Sequence, residues 1–161
     1  MFGKRLSEYV KLLKPWLVLI TIVWAIRLGL SLAGVPDSAA KFVSITGVLL
    51  LSVLYIPWTL SRSGFGGYRE LYGLFLIQGV YSQLLVALAI ILAIFTGRDN
   101  IFTVPEFYPP SQGGSPLPVD GKNWGHVAAH IFVAGAIIFP LVTWLLGSIV
   151  LAVLRRSSRS R

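Results

Sequence analysis

The sequence predicts an all-α integral membrane protein, a four-transmembrane-helix bundle with a long outer loop and an N-terminal amphipathic segment. The composition is the first indication, because 55% of the 161 residues are hydrophobic and only 12% are charged, whereas about 25% are charged in soluble domains. The lengths of the apolar runs are the second, since a hydrocarbon core of about 30 Å needs about 20 helical residues. Four runs meet this requirement: 16–34, 42–60, 71–95 and 126–154.

The basic residues predict the orientation of the bundle. Ten lysines and arginines flank the runs on the side of the two termini, including the tail 155–161, and three lie on the opposite side. Because cytoplasmic flanks carry the excess of positive charge, we expect both termini in the cytoplasm, below a bacterial-type plasma membrane. The net charge of +8 then indicates membrane lipids as partners, anionic ones at the inner leaflet, and no nucleic acid.

Residues 1–15 precede the first apolar run and alternate basic and apolar side chains at helical spacing. This pattern predicts an amphipathic helix that lies on the inner leaflet and ends at Pro15. An ordinary basic flank of the first span explains the pattern equally well.

Missing residue types exclude several function classes. The chain has no cysteine, which excludes disulfides, thiolate metal sites and thiol redox chemistry. No aspartate or glutamate lies well inside an apolar run. Antiporters that depend on a membrane carboxylate and membrane enzymes with a carboxylate pair are therefore excluded as well.

Arg27 is the costliest residue within the apolar runs. It lies about 10 Å below the outer end of the first run at helical rise, where a lipid-facing arginine costs about 2–3 kcal/mol. We expect it to face a polar interior that binds a small amphipathic or anionic ligand, although its long side chain also allows it to reach the outer head groups. Polar residues on other runs complete this site or, alternatively, form hydrogen bonds between helices. The predicted ligand-binding residues are Arg27, Trp24, Ser52, Tyr55, Gln78, Tyr81 and His130.

The two histidines form a second candidate site. His126 and His130 are four residues apart and therefore lie on one face of a helix. Such a pair can bind a metal ion together with a third ligand from the loop, for which Asp120 or Glu106 is the candidate. Hydrogen bonds from the histidines to the loop or to the second span are the alternative. The sequence indicates no particular cofactor.

The segment 97–125 is longer than a connection between helices requires. It contains aromatic residues and prolines, and we interpret it as a cap over the outer mouth of the bundle. Aromatic anchoring among the head groups, or contact with a neighbouring subunit, would explain the same residues.

Three functions are compatible with these patterns. The first is binding or transport of a small amphipathic or anionic ligand. The second is an accessory subunit of a larger membrane complex or a homo-oligomer, because residues 128–136 include a small-residue surface suited to close helix packing. The third is a metal-dependent membrane enzyme that uses His126 and His130. An enzyme is the less expected outcome, since no motif indicates a reaction.

Overall fold

The computed structural model describes residues 4–40, 42–103 and 121–159. Within these residues the chain forms helices and no strand, and four helical segments are long and apolar enough to cross a membrane. The predicted all-α four-helix membrane bundle is thus confirmed. The elements are α1 (Leu6–Leu32), α2 (Asp37–Ala40), α3 (Ile45–Ser63), α4 (Tyr68–Thr96), α5 (Trp124–Ala128), a π-helix (Ala129–Ile138) and α6 (Phe139–Arg159).

The fourth span consists of α5, the π-helix and α6, which follow one another without a break. We call the end of the bundle that carries residues 97–103 and 121–123 the loop end, and the opposite end, which carries the chain termini, the terminal end. The side of the membrane on which each end lies, and the type of membrane, stay predictions.

Capping residues decide where the spans begin and end. Ser44 precedes α3, and its Oγ accepts a hydrogen bond from the Gly47 N–H at 3.2 Å. Gly64 and Gly97 follow α3 and α4 with φ of 62° and 70°, a left-handed conformation that ends helices at low cost for glycine. As a result, α3 begins and ends later than the predicted span 42–60.

The prediction of a separate N-terminal helix that ends at Pro15 is wrong, because α1 continues through this residue. Pro15 removes the backbone hydrogen bond to the carbonyl of Lys11. Both residues are exposed, so water or lipid head groups can satisfy that carbonyl. Tyr9 and Leu13 are fully buried in an apolar cluster that also contains residues of α3, α4 and α6. The segment is therefore packed into the bundle as the first turns of α1.

The central helix of the bundle is α4. It contacts α1, α3, the π-helix and α6, and its buried residues form a broad face beside an exposed row of Leu84, Leu88 and Leu92. One apolar cluster surrounds it towards the loop end and a second towards the terminal end. The first includes Ile20, Leu28, Ile45 and Ile90, and the second includes Tyr9, Leu60, Phe75 and Leu151.

The π-helix ends just before Pro140. The Phe139 N–H donates to the carbonyl five residues earlier, which is the wider hydrogen-bonded turn of a π-helix. In a regular α-helix the ring of Pro140 would clash with the carbonyl four residues earlier, and the wider turn relieves that clash. A Cβ on Gly79 would lie 2.9 Å from Pro140 Cγ and 3.0 Å from the Gly135 carbonyl oxygen. Glycine at 79 therefore allows α4 to approach the fourth span closely.

After α4 the chain folds back into the loop end of the bundle. Asn100 is buried, and its Nδ2 donates to the carbonyl of Ala89 at 2.9 Å. The Ile101 N–H donates to Ser31 Oγ at 2.9 Å. These two bonds hold the returning segment between α4 and α1.

Gly121 lies directly beside Thr103. A side chain on Gly121 would collide with the carbonyl of Thr103, so only glycine allows this approach. Of the predicted cap 97–125, residues 104–120 lie outside the described residues. The described parts pack against the loop end.

Candidate metal centre

The two histidines form a row with a backbone carbonyl and a side-chain amide. The Nε2 atoms of His126 and His130 are 3.0 Å apart. His126 Nδ1 lies 2.8 Å from the carbonyl oxygen of Gly121, and His130 Nδ1 lies 2.6 Å from Oε1 of Gln83. Each ring therefore has an oxygen at Nδ1 and the other ring at Nε2.

The two oxygens decide which nitrogen of each neutral ring carries the proton. A carbonyl oxygen only accepts, so Nδ1 of His126 donates to Gly121 and Nδ1 of His130 donates to Gln83. The Nε2 atoms of neutral rings then carry lone pairs that repel each other at 3.0 Å. A cation held by both nitrogens removes this repulsion.

The rings are inclined towards each other. Their centroids are 4.7 Å apart and their planes differ by 48°, while the Nε2 atoms are 3.0 Å apart. If the two rings met head-on, the distance between their centroids would exceed the distance between the nitrogens by the width of an imidazole ring. The actual excess is smaller. The lone pairs of His126 and His130 consequently do not lie along the line between the nitrogens, which favours an ion placed beside that line.

The start of α5 positions His126. Asn123 precedes the helix, and its Oδ1 accepts a hydrogen bond from the His126 N–H at 2.8 Å. This cap fixes the first turn and places the ring beside Gly121. His130 follows one turn later, at the beginning of the π-helix.

Gln83 belongs to the central helix and is 4% exposed. Thirteen residues separate it from Thr96 at the end of α4, about 20 Å at helical rise, so it lies near the midpoint of the helix. Gly135 is opposite, and a Cβ there would lie 3.0 Å from the Cβ of Gln83. The missing side chain at 135 thus lets Gln83 reach His130.

Among the described residues, two side chains at this place, those of His126 and His130, could bind a metal ion. No group of three or more histidines, cysteines, aspartates or glutamates occurs among them. Asp120 and Glu106, the predicted candidates for the third ligand, lie outside the described residues. Two histidines leave further coordination positions for water or another ligand.

An ion pair connects the end of α4 with the entrance to α5. Lys122 Nζ lies 2.7 Å from Asp99 Oδ1, one residue away from the carbonyl that holds His126. The hydrogen bond from Lys122 keeps the pKa of Asp99 below its usual value, although partial burial acts in the opposite direction. The pair ties the returning chain to α4 close to the histidine row.

Arg27 lies inside the bundle, where it is only 4% exposed. Its guanidinium carbon is 5.3 Å from the ring centroid of Phe102, a residue of the segment that folds back after α4. A cation over an aromatic face is attracted by the ring quadrupole. Arg27 thus contacts the returning segment at the loop end.

Three predicted ligand residues form hydrogen bonds between helices. Ser52 Oγ lies 3.0 Å from Gln78 Oε1, and Tyr81 Oη lies 2.6 Å from Thr21 Oγ1. Such bonds help hold membrane helices together. Gln78 Nε2 and Trp24 Nε1 are buried and have no hydrogen-bond partner among the described residues.

Tyr55 is on the outside of the bundle. It is 45% exposed and contacts the rings of Trp16 and Trp58. Its position three residues after Ser52 places it about 60° around the helix from the buried face. The seven predicted ligand residues are therefore spread over separate contacts, and only His130 lies in the histidine row.

Sequence reasoning missed Gln83, because the two ligand residues predicted on the third run, Gln78 and Tyr81, lie on another face of the helix. A signal was present: Gly79 and Ala87 flank Gln83 at four-residue spacing, and small residues at this spacing mark a helix-contact face. Asn100 was missed as well. Ile101 and Phe102 follow Asn100, and such an apolar pair indicates that the loop returns to the core.

Comparison of the chain with protein-family models, with curated proteins and with solved structures found no match. Its function has to be inferred from its own geometry.

Proposed function

We propose that this protein binds a divalent transition-metal ion within the bundle, between the Nε2 atoms of His126 and His130. The observation that carries the proposal is the pair of facing Nε2 atoms, each ring being held by an oxygen at its Nδ1. Metal-binding histidines almost always donate their other N–H to such an acceptor, which fixes the tautomer and the ring orientation. Two histidines four residues apart on a helix are a recurrent pair of zinc ligands.

The distance between the nitrogens supports a particular coordination geometry. For metal–nitrogen bonds of about 2.0–2.1 Å, a nitrogen separation of 3.0 Å corresponds to an angle of about 95° at the ion. This is an angle between neighbouring ligands in a compressed tetrahedral, square-planar or octahedral site, and it is incompatible with a linear two-coordinate ion. Imidazole ligands suit Zn²⁺, Ni²⁺ and Cu²⁺ in such sites.

The arrangement favours binding or passage of the ion over hydrolysis. Hydrolytic metal sites combine the ion with a carboxylate or similar general base. Glu8 and Glu70 lie in the first turns of α1 and α4 at the terminal end, and Asp99 is engaged with Lys122. Among the described residues, none of these carboxylates forms a ligand cluster with the histidines.

The direct test is titration of the purified protein in detergent with Co²⁺, whose visible absorption reports nitrogen ligands, followed by competition with Zn²⁺. We expect about one ion per chain. His126→Ala and His130→Ala should each weaken binding by at least about 100-fold, because each variant keeps only one of the two imidazole ligands.

Gln83→Leu removes the acceptor behind His130 and should weaken binding by about 10–100-fold. Gln78→Leu is the matched control. Gln78 is a buried amide on the same helix, and its Oε1 accepts a hydrogen bond from Ser52. This control should leave the affinity unchanged.

Absence of Co²⁺ binding by the folded wild type, or binding by either histidine variant as tight as that of the wild type, would contradict the proposal. A Gln83 amide turned so that Nε2 donates to His130 would satisfy the row without any cation, and it predicts this negative result. Binding of a small amphipathic or anionic ligand remains a prediction whose seven residues are spread over separate contacts, and service as an accessory subunit remains a prediction as well.

A further inference from the structure

A row of aromatic rings on the outside of the bundle ends in a cation. The ring centroids of Trp16 and Tyr55 are 5.6 Å apart, and those of Tyr55 and Trp58 are also 5.6 Å apart. The guanidinium carbon of Arg62 lies 4.8 Å from the ring centroid of Trp58. The row joins α1 to α3 and follows α3 to its last turn at the terminal end.

This row lies on a surface that faces lipid. Tyr55 and Trp58 are among the exposed large hydrophobic residues, as are the neighbouring Leu51 and Leu54, and Arg62 is exposed. They belong to a helix apolar enough to span a membrane. Tryptophan and tyrosine prefer the membrane interface, where the ring contacts acyl chains and the polar atom reaches the head groups.

We propose that Trp16, Tyr55, Trp58 and Arg62 bind one anionic phospholipid, with its phosphate on Arg62 and its acyl chain along the rings. The planar guanidinium binds a phosphate through two parallel hydrogen bonds. Contact with the ring of Trp58 holds the guanidinium at this surface.

The dimensions of the row agree with those of a lipid. Seven residues separate Tyr55 from Arg62, about 10 Å along a helix. This length reaches from the head-group region, about 5–7 Å thick, into the hydrocarbon.

Charge favours an anionic head group over a zwitterionic one. Most of the lysines and arginines of the chain, whose net charge is +8, lie at the same end as Arg62. Glu8, an acidic residue at this end, lies 3.9 Å from Lys4. A negatively charged lipid is therefore attracted to this end by more than its contact with Arg62.

The test is native mass spectrometry of the protein released from detergent with phosphatidylglycerol or phosphatidylcholine of the same acyl chains. The wild type should retain one phosphatidylglycerol in preference to phosphatidylcholine. Arg62→Gln should weaken this retention by about tenfold, because it removes the charge-assisted bonds to the phosphate. Arg156→Gln is the matched control, an exposed arginine on α6 at the same end, and should retain the lipid.

Trp58→Leu separates the contribution of the ring from that of the charge. It should weaken retention of phosphatidylglycerol with Arg62 still present. Equal retention by Arg62→Gln and the wild type, or equal losses in the Arg62 and Arg156 variants, would overturn the site. So would a dimer of the chain that Trp58→Leu dissociates, since a second copy would then cover this face.

Discussion

Gly135 stands so close to Gln83 that a Cβ at position 135 would lie 3.0 Å from Gln83 Cβ and 3.4 Å from its Cγ. Gly135→Ala should therefore move the Gln83 side chain away from His130. We expect metal binding to weaken by about tenfold, the lower end of the effect of losing a supporting hydrogen bond, although both ligands remain. Co²⁺ titration measures the change.

The control for this variant is Gly29→Ala. A Cβ on Gly29 meets no atom within 4 Å, so the affinity should be that of the wild type. An unchanged affinity in Gly135→Ala would show that Gln83 does not support the site.

Gly147 packs against Phe75 near the terminal end. A Cβ at 147 would lie 2.6 Å from Phe75 Cε2 and 3.3 Å from Pro57 Cγ, and a ring in a packed core has little freedom to move. Gly147→Ala should lower the free energy of unfolding by about 1–3 kcal/mol. Gly29→Ala, in an exposed helical position, should raise it by about 0.5–1 kcal/mol. Unfolding in mixed micelles compares the two, and equal effects would contradict the close packing.

The Ser52–Gln78 bond predicts an asymmetry between its partners. Ser52→Ala removes a buried hydroxyl whose proton is shared between the Leu49 carbonyl at 2.6 Å and Gln78 Oε1 at 3.0 Å, and it should cost about 0.5–1.5 kcal/mol. Gln78→Leu should cost less, because Gln78 Nε2 is already buried without a partner among the described residues and an apolar side chain of similar size leaves no unsatisfied group. A larger loss of stability in Gln78→Leu would reveal a partner of that nitrogen, such as a bound water or ligand.

The Asp99–Lys122 pair predicts a dependence of stability on pH. The pKa of Asp99 lies below its ordinary value of 3.8 in the folded protein, mainly because Lys122 donates to it. A lowered folded pKa gives a stabilisation that is complete above the ordinary value and is lost as the pH falls through the folded pKa. The Tm of the wild type should thus exceed that of Asp99→Asn at neutral pH, and the difference should vanish well below pH 3.8.

The effect should be small and reduced by salt, because the Asp99 side chain is 64% exposed. Lys122→Met removes the cation of the pair and should abolish the same pH dependence. A Tm difference that does not change with pH would exclude the pair as its source.

The four spans were predictable because about 20 apolar residues have few alternatives to a membrane helix. The continuity of α1 was not predictable from Pro15, since the cost of a lost hydrogen bond depends on whether water or a head group can reach the carbonyl, and Lys11 is exposed. Ser44 and Gly64 are local signals for the two ends of α3, but the predicted bounds of this span followed hydropathy alone.

The histidine pair was predictable from its spacing, but its partner on α4 was not. A helical stripe identifies the buried face of a helix that has one exposed side. The buried face of the central helix is broad and includes both Gln78 and Gln83, so a narrow stripe through Gln78 and Tyr81 does not exclude Gln83. Tyr55 shows the opposite error, because aromatic residues with a polar atom serve the lipid interface as well as the interior.

The central place of α4 has a consequence for synthesis at the ribosome. Chains are made from the N-terminus, so α1 and α3 enter the membrane before α4, which contacts both of them. Until then Ser52 lacks Gln78, and Arg27 lacks Phe102, which is translated after α4. The insertion machinery must therefore retain the first two spans, with a buried arginine not yet covered, until about two thirds of the chain has been made.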